Sequence, residues 1–156
     1  MKAAVFSDTH RKTALMLEAI GRCRPDMVIH LGDHDSDTED IRRLYPEIPL
    51  FSVCGNCDYC VCAPETELVP MGPVKAFITH GHLYNVKYIG AQRLAYAAME
   101  QGAKIAMFGH THVPMVEQMG DVLVINPGSA GKGRPCTWAL VEVLDDGTVT
   151  CNINEL

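Results

Sequence analysis

Lys2-Ala3-Ala4-Val5-Phe6-Ser7-Asp8-Thr9-His10 is an apolar run of strand character that ends on a carboxylate and an imidazole two residues apart. Three more stretches follow the same plan: His30-Leu31-Gly32-Asp33-His34, His80-Gly81-His82 and Gly109-His110-Thr111-His112. Each ends or follows a strand-like run, so all seven histidines are confined to strand ends. A fifth stretch, Cys54-Gly55-Asn56-Cys57-Asp58, follows the run Ile48 to Val53 and supplies an amide and a carboxylate. A single buried histidine is commonly a hydrogen-bonded core residue. Seven at strand ends, with carboxylates and an amide beside them, form the layout of a metal site with oxygen and nitrogen ligands enough for two cations. Within the pairs His80/His82 and His110/His112 the i, i+2 spacing places both rings on one face of a continuing strand. Gly81 and Gly109 let the backbone turn beside each pair.

The chain has 156 residues, 47% of them apolar, which suits one domain spanning 1–156 with an ordinary core. No repeat or low-complexity tract interrupts it. No apolar stretch approaches the roughly 20 residues of a membrane span, and the N-terminal run is too short for a signal peptide, so the expected location is cytoplasmic. The net charge of −6, without a basic cluster, argues against a grip on long nucleic acid, because that affinity comes from neutralising phosphates. Seven cysteines are many for this length, and Cys54, Cys57, Cys60 and Cys62 fall close together. They lack a partner pair at zinc-ribbon distance, and the odd total suits reduced thiols. Cys23, Cys136 and Cys151 read as small core residues.

Hydrophobic periodicity predicts a strand over 2–7, a helix over 13–23 with Ala14, Leu15, Leu17, Ala19 and Ile20 supplying its apolar surface, and a strand over 27–31. A short helix over 37–44, capped by Asp37 or Thr38 and ended before Pro46, precedes a strand over 48–53. Strands over 67–69 and 74–79 form a hairpin, and a long helix over 86–101 closes at Gly102. The last third reads as strands over 105–108, 122–125, 137–143 and 148–153, with Asp145-Asp146-Gly147 as a hairpin turn. The early strands are continuously apolar, as strands covered on both faces are. Two facing sheets with helices outside would bury all these faces.

In order, Asp8-x-His10, Gly32-Asp33, Gly55-Asn56-Cys57-Asp58, His80-Gly81-His82 and Gly109-His110-Thr111-His112 closely resemble the calcineurin-like metallophosphoesterase superfamily. Asn126-Pro127-Gly128-Ser129 resembles a landmark of its small bacterial and archaeal phosphodiesterase branch, of the YfcE type. The resemblance implies an α/β fold, a four-layer α/β/β/α sandwich of two mixed sheets flanked by helices. It implies a metal-dependent phosphodiesterase in which hydroxide activated by a dinuclear metal centre is the nucleophile. Asp8, His10 and His112 would then bind the first metal and Asn56, His80 and His110 the second, with Asp33 bridging. Manganese is the first expectation for the two divalent ions. Nickel, zinc, iron and cobalt suit the same mixed ligands.

Many relatives in the wider superfamily carry histidine at the position of Cys57, whereas the small branch resembled here carries cysteine. A thiol protonates a leaving oxygen poorly and tends towards thiolate beside a cation, which implies a preference for phosphodiesters over alkyl phosphomonoesters. Asp58 is read either as orienting a ligand or general acid or as an Asx-turn residue, and His82 either as a proton donor or as a hydrogen-bond partner behind the site. Ser129 and Arg134 are the expected substrate contacts, Lys132 and His34 are expected in solvent, and His30 is expected to be structural. Tyr84, Tyr88 and Met115, if exposed, line either the interface of a homo-oligomer or a cleft for a small phosphodiester substrate. Three rival functions stay open: a phosphomonoesterase or nucleotidase, a nuclease acting on short substrates, and a binding scaffold like the superfamily's catalytically degenerate retromer subunit. The intact Asp33 and Asn56 favour chemistry.

Overall fold

A computed structural model describes residues 1–59 and 63–156. Cys60 and Cys62 of the cysteine cluster lie outside the described residues, and Cys54 and Cys57 are free thiols. The element order is β1 (Lys2–Phe6), α1 (Ala14–Cys23), β2 (Met27–His30), α2 (Thr38–Leu44), β3 (Leu50–Ser52), β4 (Thr66–Met71), β5 (Val74–Thr79), α3 (Val86–Ile89), α4 (Gln92–Glu100), β6 (Ile105–Met107), β7 (Met115–Met119), β8 (Val122–Asn126), β9 (Thr137–Val143) and β10 (Val149–Glu155). One sheet has the order β10-β9-β1-β2-β3 and the other β4-β5-β6-β8-β7. Both are mixed: β1, β2 and β3 run parallel with β9 antiparallel to β1, and β5, β6 and β8 run parallel with β4 and β7 antiparallel at the edges.

The strand period of two sorts β1 between two cores. Ala3 and Val5 join Ile29, Ile78, Met107 and Ile125 between the sheets, while Ala4 and Phe6 turn outward to Met16 and Ile20 of α1 and Ile41 of α2. On the other outer face, Leu94 and Ala98 of α4 pack with Phe77, Ala106 and Val124. These three apolar layers make the four-layer sandwich expected from the sequence. No helix among the described residues is long and apolar enough to cross a membrane.

Three expectations need correction. The helix expected over 86–101 is two helices, because Gly90 at φ 73°, ψ −173° takes a conformation closed to residues with a Cβ and interrupts the helix between α3 and α4. The strand β7 has no counterpart in the sequence reading, since it is an edge strand paired with β8 across Gly120 whose middle residues, Val116 to Gln118, are exposed and whose ends alone, Met115 and Met119, pack inward. In α1 the buried residues are Met16, Ala19 and Ile20, whereas Leu15 is 44% exposed. Tyr84 is half-buried edge-on to Phe77, and Met115 packs at the same core, which leaves Tyr88 as the exposed member of that trio.

Candidate metal centre

The carboxyl ends of parallel strands from both sheets meet at one end of the sandwich, the place where open α/β sheets gather ligands. Asp8 and His10 follow β1, Asp33 follows β2, Asn56 follows β3, His80 follows β5, and His110 and His112 follow β6. The chain must reverse sharply there to aim side chains back across the strand ends. Asp8, His10, Asp33, His110 and His112 accordingly have φ of 55°, 46°, 58°, 63° and 59°. Left-handed backbone at so many non-glycine positions is costly, and its concentration here marks a site that the surrounding structure holds in place. The loops also touch backbone to backbone. A Cβ on Gly55 would overlap Asp33, and one on Gly109 would lie 2.8 Å from Asp8 Oδ2.

Ligand atoms of Asp8, His10, Asp33 and His112 lie within 4.8 Å of one another. His112 Nε2 donates to Asp8 Oδ1 at 2.9 Å, and Asp8 Oδ2 accepts from Ser7 Oγ at 2.6 Å and from the His110 amide at 3.1 Å. His10 Nε2 stands 3.8 Å from Asp33 Oδ2, buried and without a hydrogen-bond partner among the described residues. On the other side of Asp33, the His80 Nδ1–H donates to the Leu31 carbonyl at 2.7 Å, which fixes the tautomer and leaves Nε2 with its lone pair. That nitrogen lies 3.4 Å from Asp33 Oδ1 and 3.2 Å from Asn56 Oδ1. Lone pairs converging on one point repel unless a cation lies among them. The orphaned His10 nitrogen and this convergence fit metal ligation, and Asp33 faces both groups.

Electrostatics agree with ligands held neutral or anionic. Burial pushes the His110 imidazole down to about 4, with the Lys87 ammonium acting in the same direction. Burial and then the Lys132 ammonium lower His10. Burial opposes ionisation of Asp8, but the hydrogen bonds from His112 and Ser7 outweigh it, so the carboxyl sits below its usual range. The Cys57 thiol is pushed up, first by burial and then by Asp33.

The remaining candidates divide into builders and faces. Asp58 accepts backbone N–H bonds from Gly55 at 2.7 Å, Asp35 at 2.8 Å and Asp33 at 3.0 Å, tying the bridging loop to the Asn56 loop. Its oxygens are engaged with backbone, which is the geometry of a positioning residue rather than of a proton donor. Ser129 is fully buried: its hydroxyl donates to the Asp8 carbonyl at 2.9 Å and accepts from the amides of Lys132 at 2.8 Å and Gly131 at 3.3 Å. This corrects the expectation of a substrate contact, because the hydroxyl is used in bracing the loop. Arg134 is exposed and lines a cleft beside His112. His82 is half-buried near His80, with Nδ1 unpartnered among the described residues. His34 stacks edge-on to His10 at 5.0 Å, so it is not a free loop residue. His30 is structural, fully buried between Thr9 Oγ1 and the Gly32 amide.

Two contributors escaped the sequence reading. Lys132 is exposed, as expected, and its charge acts to lower both His10 and Cys57. Asn126 is fully buried, donating to the Gly109 carbonyl at 2.8 Å and to Thr111 Oγ1 at 3.0 Å while accepting from the Gly128 amide at 2.8 Å. It clamps the loop carrying His110 and His112, a role for which its place in Asn126-Pro127-Gly128-Ser129 was the available signal.

Comparison with known proteins agrees with this architecture. The chain is 32% identical over 132 residues to the probable metallophosphoesterase YsnB of Bacillus subtilis, covering 83% of this chain and 75% of that one. It is 30% identical over 105 residues to the phosphodiesterase YfcE of Escherichia coli, covering 60% of this chain and 52% of that protein. The structure of Vps29 complexed with Zn²⁺ from Entamoeba histolytica superposes with a TM-score of 0.77 at 25% identity, covering 99% of each chain. The model of the calcineurin-like phosphoesterase superfamily domain matches residues 1–146, and the chain belongs to that superfamily of hydrolases acting on phosphoric ester bonds.

Proposed function

We propose that this chain is a metal-dependent phosphodiesterase acting on small phosphate diesters in the cytoplasm, with one domain over 1–156. The single observation that carries the reading is Asp33, whose Oδ2 faces His10 while its Oδ1 faces His80. Asp8, His10 and His112 would hold one divalent ion and Asn56, His80 and His110 another, with Asp33 between them. Bound there, the ions would neutralise phosphate oxygens and lower the pKa of a water enough for it to attack phosphorus. The protein's own part is to keep this array fixed. Asp8 and Asp33 offset the repulsion of two cations, His80 is locked by Leu31, and Asp58 and Asn126 hold the loops. His82, half-buried beside His80, is the candidate to exchange a proton with the leaving oxygen. The Cys57 thiol is a weak acid for that task, which favours diesters and good leaving groups over alkyl monoesters. Manganese is the first candidate, with nickel, zinc, iron or cobalt compatible with the ligands.

The test is hydrolysis of bis(p-nitrophenyl) phosphate and p-nitrophenyl phosphate by metal-stripped protein with Mn²⁺, Ni²⁺, Zn²⁺ or Mg²⁺ restored, with Asp33→Ala as control. Diester turnover that requires metal and disappears in the variant is the expected result. A Vps29 of this fold takes Zn²⁺, so metal binding alone does not separate catalyst from scaffold. Tight metal binding without turnover of either ester would make the scaffold the better reading.

A further inference from the structure

His112 also lines a cleft of about 370 Å³. Its volume lies at the low end of the range for small-molecule pockets, about 300–1,000 Å³. Val113, Pro114, Pro135 and Ile153 give it apolar walls, Arg134 is the one cation in its lining, and Glu155 is the one carboxylate. Among the described residues Arg134 forms no ion pair, with Glu155 or any other carboxylate. The floor is fixed by the same loops that build the centre. Thr137 Oγ1 donates to the Pro127 carbonyl at 2.7 Å, the Gly128 amide donates to Asn126 Oδ1 at 2.8 Å, and a Cβ on Gly128 would meet Pro114 Cδ at 3.4 Å. His112 belongs to both places, since it holds Asp8 on one side and lines the cleft on the other. The cleft and the centre therefore meet at His112.

Resting on the phosphodiesterase reading, we propose that this cleft receives one ester arm of the substrate, a ring that carries a further negative charge, with Arg134 as the residue that selects the charge. Stiff proline walls and branched aliphatic side chains suit a flat apolar ring. An unpaired guanidinium at the edge of such walls suits a carboxylate or phosphate on that ring, held through charge-assisted hydrogen bonds.

The experiment compares p-nitrophenyl phosphodiesters whose second arm is phenyl or 3-carboxyphenyl, using the full Mn²⁺-loaded chain and its Arg134→Gln and Arg134→Lys variants. In parallel, the methyl signals of Val113 and Ile153 in Zn²⁺-loaded protein are followed by NMR during titration with phenyl 3-carboxyphenyl phosphate, whose phenolates leave slowly. The expected result is a preference of about tenfold in kcat/KM for the charged arm, lost in Arg134→Gln and partly kept in Arg134→Lys. Both methyl signals should shift, less so in Arg134→Gln. Equal rates for the two diesters in the unaltered protein, or a preference that survives Arg134→Gln, would overturn the proposal. Diester turnover without shifts at Val113 and Ile153 removes the cleft and leaves the phosphodiesterase reading standing. Shifts without turnover of any diester retain the cleft and remove that reading.

Discussion

Replacing Asp58 with alanine removes the acceptor for three backbone N–H groups, those of Asp33, Asp35 and Gly55. Each bond joins an N–H to a carboxylate, at lengths of 2.7–3.0 Å, and each is partly buried. Taken at about 1–1.5 kcal/mol apiece after allowing for water that reaches a half-buried loop, their loss destabilises the protein by about 3–4.5 kcal/mol. For a chain of this size that lowers Tm by about 6–18 °C. The damage falls on the ligand loops, so the affinity for Mn²⁺, read by calorimetry on metal-stripped protein, should drop by at least about tenfold. Asp58→Asn keeps one acceptor oxygen and should lie between the two. A general acid would behave differently: Asp58→Asn would leave Tm and metal affinity in place and remove the basic limb of the kcat–pH profile. Asp58→Ala within 1 °C of the unaltered protein, with undiminished Mn²⁺ affinity, would refute the positioning role.

Ser129→Ala deletes a fully buried hydroxyl with three partners and should cost about 2 kcal/mol, read as a lower urea midpoint; a change in KM alone would restore the substrate-contact expectation. Cys57→His introduces a group able to protonate an alkoxide and should raise turnover of an alkyl phosphomonoester such as glycerol 2-phosphate, relative to bis(p-nitrophenyl) phosphate, about tenfold or more, whereas no gain counts against the thiol as the source of diester preference. For pH, His110 titrates near 4 folded and 6.5 unfolded, so the unfolded chain binds the proton first. Its contribution to stability is therefore complete above 6.5 and is lost as pH falls towards 4, with the lowered His10 and His30 acting in the same direction. Thermal melts of metal-stripped protein at pH 7.5 and 5 should show the lower Tm at pH 5; equal values would mean that these histidines are not held neutral.

The sequence by itself determined where along the chain the candidate ligands lie. Strand-ending apolar runs followed by Asp8, His10, Asp33, His80, His110 and His112 needed no tertiary information, because strand periodicity and side-chain chemistry are both local. It also determined the layered fold, through runs such as Lys2 to Phe6 that must be covered on both faces. Where it misled, the deciding forces were not local. Gly90 splits a helix whose apolar pattern continues through it, and β7 exists because β8 offers an edge to pair with. Ser129, Asp58 and Asn126 are polar residues in glycine-bearing loops, a setting that suits substrate contact and structural bracing equally. Only the packed chain reveals that their hydrogen-bonding atoms are turned inward to backbone groups distant in sequence, Ser129 to Asp8, Asp58 to Asp33 and Asn126 to Gly109. Buried donors and acceptors must find partners, and which partners are within reach is set by how the two sheets bring their strand ends together.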